Sequence, residues 1–201
     1  MSQEHQAVEQ LQHFFHTGAT VPVEARLEQL WQLKRMLLEN ESLFEEALAS
    51  DLGKTSFEAY ETEIGLVLAE VNHALRKIKK WVRPKRERTP LLHFLSATKS
   101  YCDPYGVELI MVPWNYPVLL SLEPVIGAIA AGNCVALKLS EYSVATTQLL
   151  LALVPKYLDR QWVTVFSGTQ SVNSRLLGDR FDTIFFTGST RDGKIVLEAA
   201  A

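Results

Sequence analysis

The sequence is short of cysteine, with two in 201 residues, Cys102 and Cys134. Two thiols build neither a disulfide framework nor a zinc site, so a reducing, cytoplasmic setting is the expectation. Charge of one sign is also scarce. Twenty Lys and Arg against 23 Asp and Glu leave a net charge of -3, which gives no general electrostatic case for nucleic acid or an anionic membrane. The one basic run, Lys77 to Arg88, reads as a solvated helix end and linker. No apolar run spans a bilayer uninterrupted: the longest, Val118 to Leu137, is broken by Glu123, Pro124 and Asn133. The opening MSQEHQAVEQ is polar and mixed in charge, unlike a signal peptide. Internal repeats and low-complexity tracts are missing. So is the G-x-G-x-x-G fingerprint, which argues against a dehydrogenase of the ordinary Rossmann type.

What is present is organised around Gly106 to Glu141. Val107 to Val112 is apolar and of strand length, Pro113 and Pro117 bracket a turn, and a helix is expected from near Pro117. Gly132-Asn133 closes that helix, and Cys134 to Leu139 reads as a second buried strand. Two apolar strands joined by a helix form a βαβ unit with a parallel sheet. Its polar residues, Trp114, Asn115, Lys138, Ser140 and Glu141, collect past the carboxyl ends of the strands, where open α/β sheets bind ligands. Further strands are expected at Trp162 to Phe166 and Thr183 to Phe186. Helices are expected at Thr146 to Leu153 (with Pro155 as punctuation), Val172 to Leu177 and Arg191 to Ala201. The fold class is therefore α/β: N-terminal helices, then a doubly wound, Rossmann-like parallel sheet.

Residues 1–83 read as helical. Val8, Leu11, Phe14 and Phe15 form a short apolar face, a second helix runs from Pro22 towards Leu52, and Thr55 with Glu58 has capping-box spacing. Tyr60, Ile64, Val67, Leu68, Val71, Leu75 and Ile78 follow a 3.6-residue period. No cluster of chemistry-bearing residues stands out before residue 80. His13 and His16 have no acidic or cysteine partner at ligand spacing and read as surface residues, so no metal site is expected. Residues 84–105 read as an arm, extended over Leu91 to Tyr101, and 106–201 as the dinucleotide-binding part.

Three places could carry chemistry. Gly188 to Gly193 (GSTRDG) lies between a strand and a helix, where N–H groups and the helix dipole favour a phosphate. There Gly188 would permit close approach, Ser189 would donate a hydroxyl, and Gly193 would let the helix pack tightly on the sheet. Alternatively Ser189 or Thr190 simply caps that helix. Lys138 and Glu141 stand where a dinucleotide fold meets the adenosine ribose, or form an exposed pair of little consequence. The Asn115 amide could stabilise a developing alkoxide; on the dipeptide alone, capping of the helix near Pro117 is the favoured reading. Cys102 and Cys134 both read as buried or structural thiols.

Three motifs give a resemblance. P-W-N-Y-P at 113–117, A-G-N-C-V-A-L-K-L-S-E at 131–141 and F-F-T-G-S-T-R-D-G-K at 185–194 together resemble the aldehyde dehydrogenase superfamily. The resemblance runs along the whole chain and points to the shorter, class 3-like branch of fatty and aromatic aldehyde dehydrogenases. It implies NAD or NADP as cofactor, with Trp114, Lys138, Glu141, Gly188, Ser189 and Gly193 as its contacts. Asn115 would hold the oxyanion, and a small-molecule aldehyde would be the substrate. It also implies a homo-oligomer in which the arm pairs with another subunit. One departure is Leu139, where the family usually has proline, which alters how Lys138 and Glu141 are presented. The family's catalytic glutamate (E-L-G-G-K) and nucleophilic cysteine follow the G-S-T-x-x-G helix, and neither motif occurs here. The expectation is an N-terminal portion that is inactive alone, or else a catalytically dead cofactor-binding or interaction module.

Overall fold

The computed structural model describes every residue except Met1, Phe94 and the side chain of Leu91. Four parallel strands form the central sheet: β3 (Val107–Met111), β4 (Cys134–Lys138), β5 (Val163–Phe166) and β6 (Thr183–Phe186), in the order β5-β4-β3-β6. The register sets Leu109 beside Ala136 and Ile184, and Leu137 beside Val165. The chain winds outward from β3 through β4 to β5, then crosses back to place β6 on the other side of β3. The reversal opens a crevice at the carboxyl ends of β3 and β6.

Helices cover both faces. On one face α6 (Leu119–Ala131) and α7 (Val144–Tyr157) pack with α2 (Val23–Glu39), α3 (Glu41–Leu52) and α5 (Gly65–Trp81) around Ile110, Val135, Leu137 and Val163. The other face, Val107, Leu109, Met111, Ala136 and Phe166, is covered by α8 (Gln170–Leu177), α9 (Thr190–Ala200) and α1 (Gln3–His16). The short apolar face of α1 thus lies against the sheet through Val8 and Leu11. Between α3 and α5 stand the single turn α4 (Ser56–Ala59) and a π-helical turn, Tyr60–Ile64.

Several expectations need correction. The helix expected from Pro22 to Leu52 is broken at Asn40 (φ -126°), whose side-chain amide donates to the Met36 carbonyl and the Tyr157 hydroxyl. The run from Tyr60 to Ile78 is not one α-helix, because the π turn shifts its phase and leaves Tyr60 45% exposed. In the sheet region, α7 continues through Pro155, which falls in its last turn, to Tyr157. The arm is a small antiparallel hairpin of β1 (Lys85–Glu87) and β2 (Thr98–Ser100), with a 3-10 turn at Leu91–His93. Phe94, within the arm, lies outside the described residues.

Neither α6 nor α7 caps its own N-terminus with a side chain. The carboxylate of Asp51 accepts the N–H groups of Ala145 and Thr146 at the start of α7. Glu63 accepts those of Val118 and Leu119 at the start of α6. At the other end of α6 the Arg26 guanidinium, 4% exposed, donates to Ala130 O as well as to Thr20 O and Val21 O. Opposite charges from the N-terminal helices therefore sit at the two poles of α6, each on the end its dipole favours. Gly132 leaves α6 with φ +92°, and a Cβ there would stand 2.7 Å from the Arg26 guanidinium carbon.

Candidate functional site

The crevice at the carboxyl ends of β3, β4 and β6 is an open cleft of about 530 Å³. The turn after β3 contributes Pro113 and Trp114, and the turn after β4 contributes Lys138, Ser140, Glu141 and Tyr142. The β6–α9 turn contributes Thr187, Gly188, Ser189, Arg191 and Asp192, while Asn173 and Leu177 of α8 form the far wall. Backbone hydrogen bonds join the turns after β4 and β6 to the end of β3, Val112 N to Lys138 O and Thr187 N to Met111 O, and the turn after β4 to β5, Leu139 N to Phe166 O.

Lys138 is 4% exposed, and its Nζ donates to Leu139 O at 2.6 Å. Burial pulls its pKa below the usual lysine value, and the Glu141 charge opposes that shift. The departure at Leu139 has a structural counterpart. Leu139 is 2% exposed, packs in the main core and extends the β4–β5 ladder by one bond from its own N–H, a bond proline has no hydrogen to make. The following loop is held by Thr147 Oγ1, which donates to Ser140 O, and by Tyr142 N, which donates to Ser140 Oγ. Glu141 is exposed at the rim.

Ser189 does what the simpler reading required: it caps α9. Its Oγ accepts Asp192 N (3.1 Å) and donates to the Asp192 carboxylate (2.7 Å). The hydroxyl is thus engaged, and the anion favoured at this helix start is already represented by Asp192. Gly188 has to lack a side chain, because a Cβ would lie 2.5 Å from the tip of the Phe186 ring, which lines the cleft. Gly193 does not: a Cβ there would meet the same ring at 3.4 Å, ordinary contact. Close helix–sheet packing is therefore not what Gly193 supplies, and it lies outside the cleft lining.

Asn115 also stands outside the lining, exposed on the turn next to Trp114. The expected capping role fails, since α6 starts at Leu119 and Glu63 takes its first N–H groups. Cys134 is fully buried at the amino end of β4, and burial pushes its thiol up to about 12, so it carries no thiolate at neutral pH. Cys102 is exposed, not buried, and lines a separate cavity of about 290 Å³ beside Trp81 and Ala130. No group of three metal-ligating side chains occurs among the described residues.

A strand-order reversal, a cleft on its carboxyl side and a GSTRDG turn feeding a helix stand together here without the usual glycine fingerprint. The family model for aldehyde dehydrogenases matches residues 2–201. The chain belongs to the aldehyde dehydrogenase family. Mouse aldehyde dehydrogenase family 3 member B2 is 47% identical over 191 residues, 95% of this chain and 40% of that protein. Family 3 member A2 from Pongo abelii is 42% identical over 194 residues, 96% of this chain and 40% of that protein. The substrate-bound structure of Staphylococcus aureus AldH superposes with a TM-score of 0.97 at 38% identity, covering all of this chain and 44% of that one. The chain therefore spans about 40% of the length of these curated aldehyde dehydrogenase relatives.

Sequence reasoning missed Asp51, Lys54 and Glu63, which lie outside the cleft lining but hold the starts of α7 and α6 and the Tyr116 ring of the turn after β3. Only one signal was available for Glu63, a carboxylate beside Ile64 on an otherwise apolar helix face. Nothing in the spacing indicates that its partners lie more than fifty residues away.

Proposed function

We propose that this chain supplies the cofactor-binding portion of an NAD(P)-dependent aldehyde dehydrogenase that oxidises an aldehyde to a carboxylic acid. The observation that carries the reading is the cleft at the β3/β6 reversal, where Trp114, Lys138, Glu141 and the start of α9 meet. Its donor set fits NAD or NADP. Lys138 and Glu141 stand for the adenosine ribose, Trp114 offers an aromatic wall, and Gly188 keeps the turn bare. The N–H groups of the first turn of α9, more than the engaged Ser189 hydroxyl, would face the pyrophosphate. Bound there, the nicotinamide supplies the hydride acceptor. Asn115, exposed beside the cleft and free of side-chain partners among the described residues, is the donor for the oxyanion.

The nucleophile and general base of this chemistry have no counterpart in these residues. Buried, protonated Cys134 cannot serve, and Cys102 lies in another cavity. The 201 residues thus bind cofactor without turning over. Titration of the purified chain with NADH, followed by nucleotide fluorescence, and a parallel assay of aldehyde-dependent NADH formation test both halves. Saturable binding with no turnover is expected. Absence of binding sinks the cofactor assignment, and turnover sinks the claim that catalysis needs other residues.

A second reading, an interaction module, is favoured by the edge at β6. Among the described residues no strand pairs with its outer side, Phe185 is 43% exposed, and Ile195 and Leu197 of α9 are 49% and 71% exposed. Such an edge with apolar neighbours favours association, with a second copy or a longer partner chain. Light scattering of the purified chain decides: a monodisperse monomer removes the support.

A further inference from the structure

The turn that carries Trp114 and Asn115 is gripped from the side away from the cleft. Glu63 is fully buried; its Oε2 accepts Val118 N at 2.7 Å and Leu119 N at 3.1 Å, while its Oε1 accepts Lys54 Nζ at 2.6 Å. Lys54, 8% exposed, also sits with Nζ 4.3 Å above the ring of Tyr116, inside the Pro113–Pro117 turn. One buried ion pair therefore holds the turn at two points, an aromatic ring within it and the amides just after it. Charge-assisted bonds of this kind are shorter and stronger than neutral ones.

Glu63 is presented to these partners by the π turn Tyr60–Ile64. Gly65 makes that turn possible, because a Cβ at 65 would lie 2.8 Å from Tyr60 O. Single π turns inside α-helices recur at functional positions. Here the turn carries no cleft residue, so its function must act through what Glu63 holds.

We infer that Glu63 is a positioning residue. It fixes the start of α6, and through it the Pro113–Pro117 turn, so that Trp114 forms the cleft wall and Asn115 stands ready beside it. Lys54 orients the carboxylate and steadies Tyr116. The consequence for ligand binding rests on the cofactor reading above; the mechanical claim does not.

The test uses the ¹⁵N-labelled chain with two variants, Glu63→Gln and Gly65→Ala. Three quantities are read: amide exchange at Val118 and Leu119 against that of β4, the Trp114 indole resonance, and NADH affinity. Glutamine is neutral and its one acceptor oxygen has two lone pairs for three donors, so the charge-assisted bonds to the two amides weaken and exchange at Val118 and Leu119 should quicken by roughly tenfold or more. The β4 amides should keep their protection, the Trp114 resonance should move, and NADH should bind about fivefold more weakly. Gly65→Ala keeps every polar group and alters only the turn, and should give the same local pattern. Unchanged exchange at Val118 and Leu119 overturns the inference. So does loss that simply parallels β4, which marks general destabilisation, and so does local loss with unmoved Trp114 and unchanged NADH affinity. If the parent chain binds no NADH, the proposed function fails, while exchange and the Trp114 resonance still decide the role of Glu63.

Discussion

Leu139→Pro restores the family's usual residue to the K-x-S-E turn, and the structure says it should destabilise this chain. Three effects compete. Proline deletes the Leu139 N–H bond to Phe166 O, a net loss of about 1 kcal/mol. It also replaces a leucine that is 2% exposed by a smaller ring, at a cost of about 1 kcal/mol per methylene of lost burial plus poorer packing. Against this, proline removes freedom from the unfolded chain, worth roughly 0.4–1 kcal/mol where the backbone fits. The preceding residue, Lys138, is already in a strand, so the proline restriction on it adds no strain. The balance is a loss of about 1–2 kcal/mol, or roughly 3–6 °C in Tm for a chain of this size. Urea unfolding followed by circular dichroism measures it directly, with an unchanged m-value as the check for a simple stability effect. If Leu139→Pro matches or exceeds the parent in stability, the ladder bond and the burial of Leu139 do not do what is argued here.

Other substitutions separate the two glycines of the GSTRDG turn. Gly188→Ala forces the Phe186 ring out of place and should cost about 1–3 kcal/mol together with NADH affinity. Gly193→Ala meets only ordinary contact inside α9 and should be neutral or stabilising by up to about 1 kcal/mol in the same unfolding assay. Arg26→Gln leaves some of the carbonyls at Thr20, Val21 and Ala130 without a buried donor; a loss of about 3 kcal/mol is expected, and a loss below about 1 kcal/mol would refute the clamp at the end of α6. The docking of α1 on α8 should depend on pH from both sides. His5, raised by its bond to Asp179, stabilises fully below about pH 6.5, and the effect fades as pH rises through its higher folded value. Glu4, held down to about 2 by its bond to Arg175, stabilises above about pH 4.5 and loses the effect as pH falls towards 2. Thermal melts of His5→Asn and Glu4→Gln should therefore flatten the alkaline and acid sides respectively; parallel profiles for parent and variants would show that these contacts are not coupled to folding.

Much of the sheet was legible because buried parallel strands are continuous apolar runs, and both Val107–Met111 and Cys134–Lys138 are buried almost throughout. Gly132, which ends α6, carries the left-handed geometry its position suggested. Trp114, Lys138, Glu141, Gly188 and Ser189 gather at one cleft because all lie at or just past the carboxyl ends of strands. The failures share a cause. Asn115 as a cap, Gly193 as a packing glycine and a continuous helix through Tyr60 were judged from neighbours in sequence. Residues distant in the chain decide each of them: Glu63 for the start of α6, the Phe186 ring for Gly193, and the partners of Lys54 and Glu63 for the π turn.

The opposed charges at the ends of α6 also bear on the order of events during synthesis. Arg26, Asp51 and Glu63 leave the ribosome before the helices they cap, α6 and α7, exist. The acceptor and donor groups are therefore waiting, on helices already able to form, when the apolar αβ repeats emerge. A circular permutant that moved residues 1–83 behind the sheet would reverse this schedule. Nascent α6 and α7 would then appear with bare ends and unshielded apolar faces, and aggregation during translation would compete with folding of an otherwise identical set of contacts.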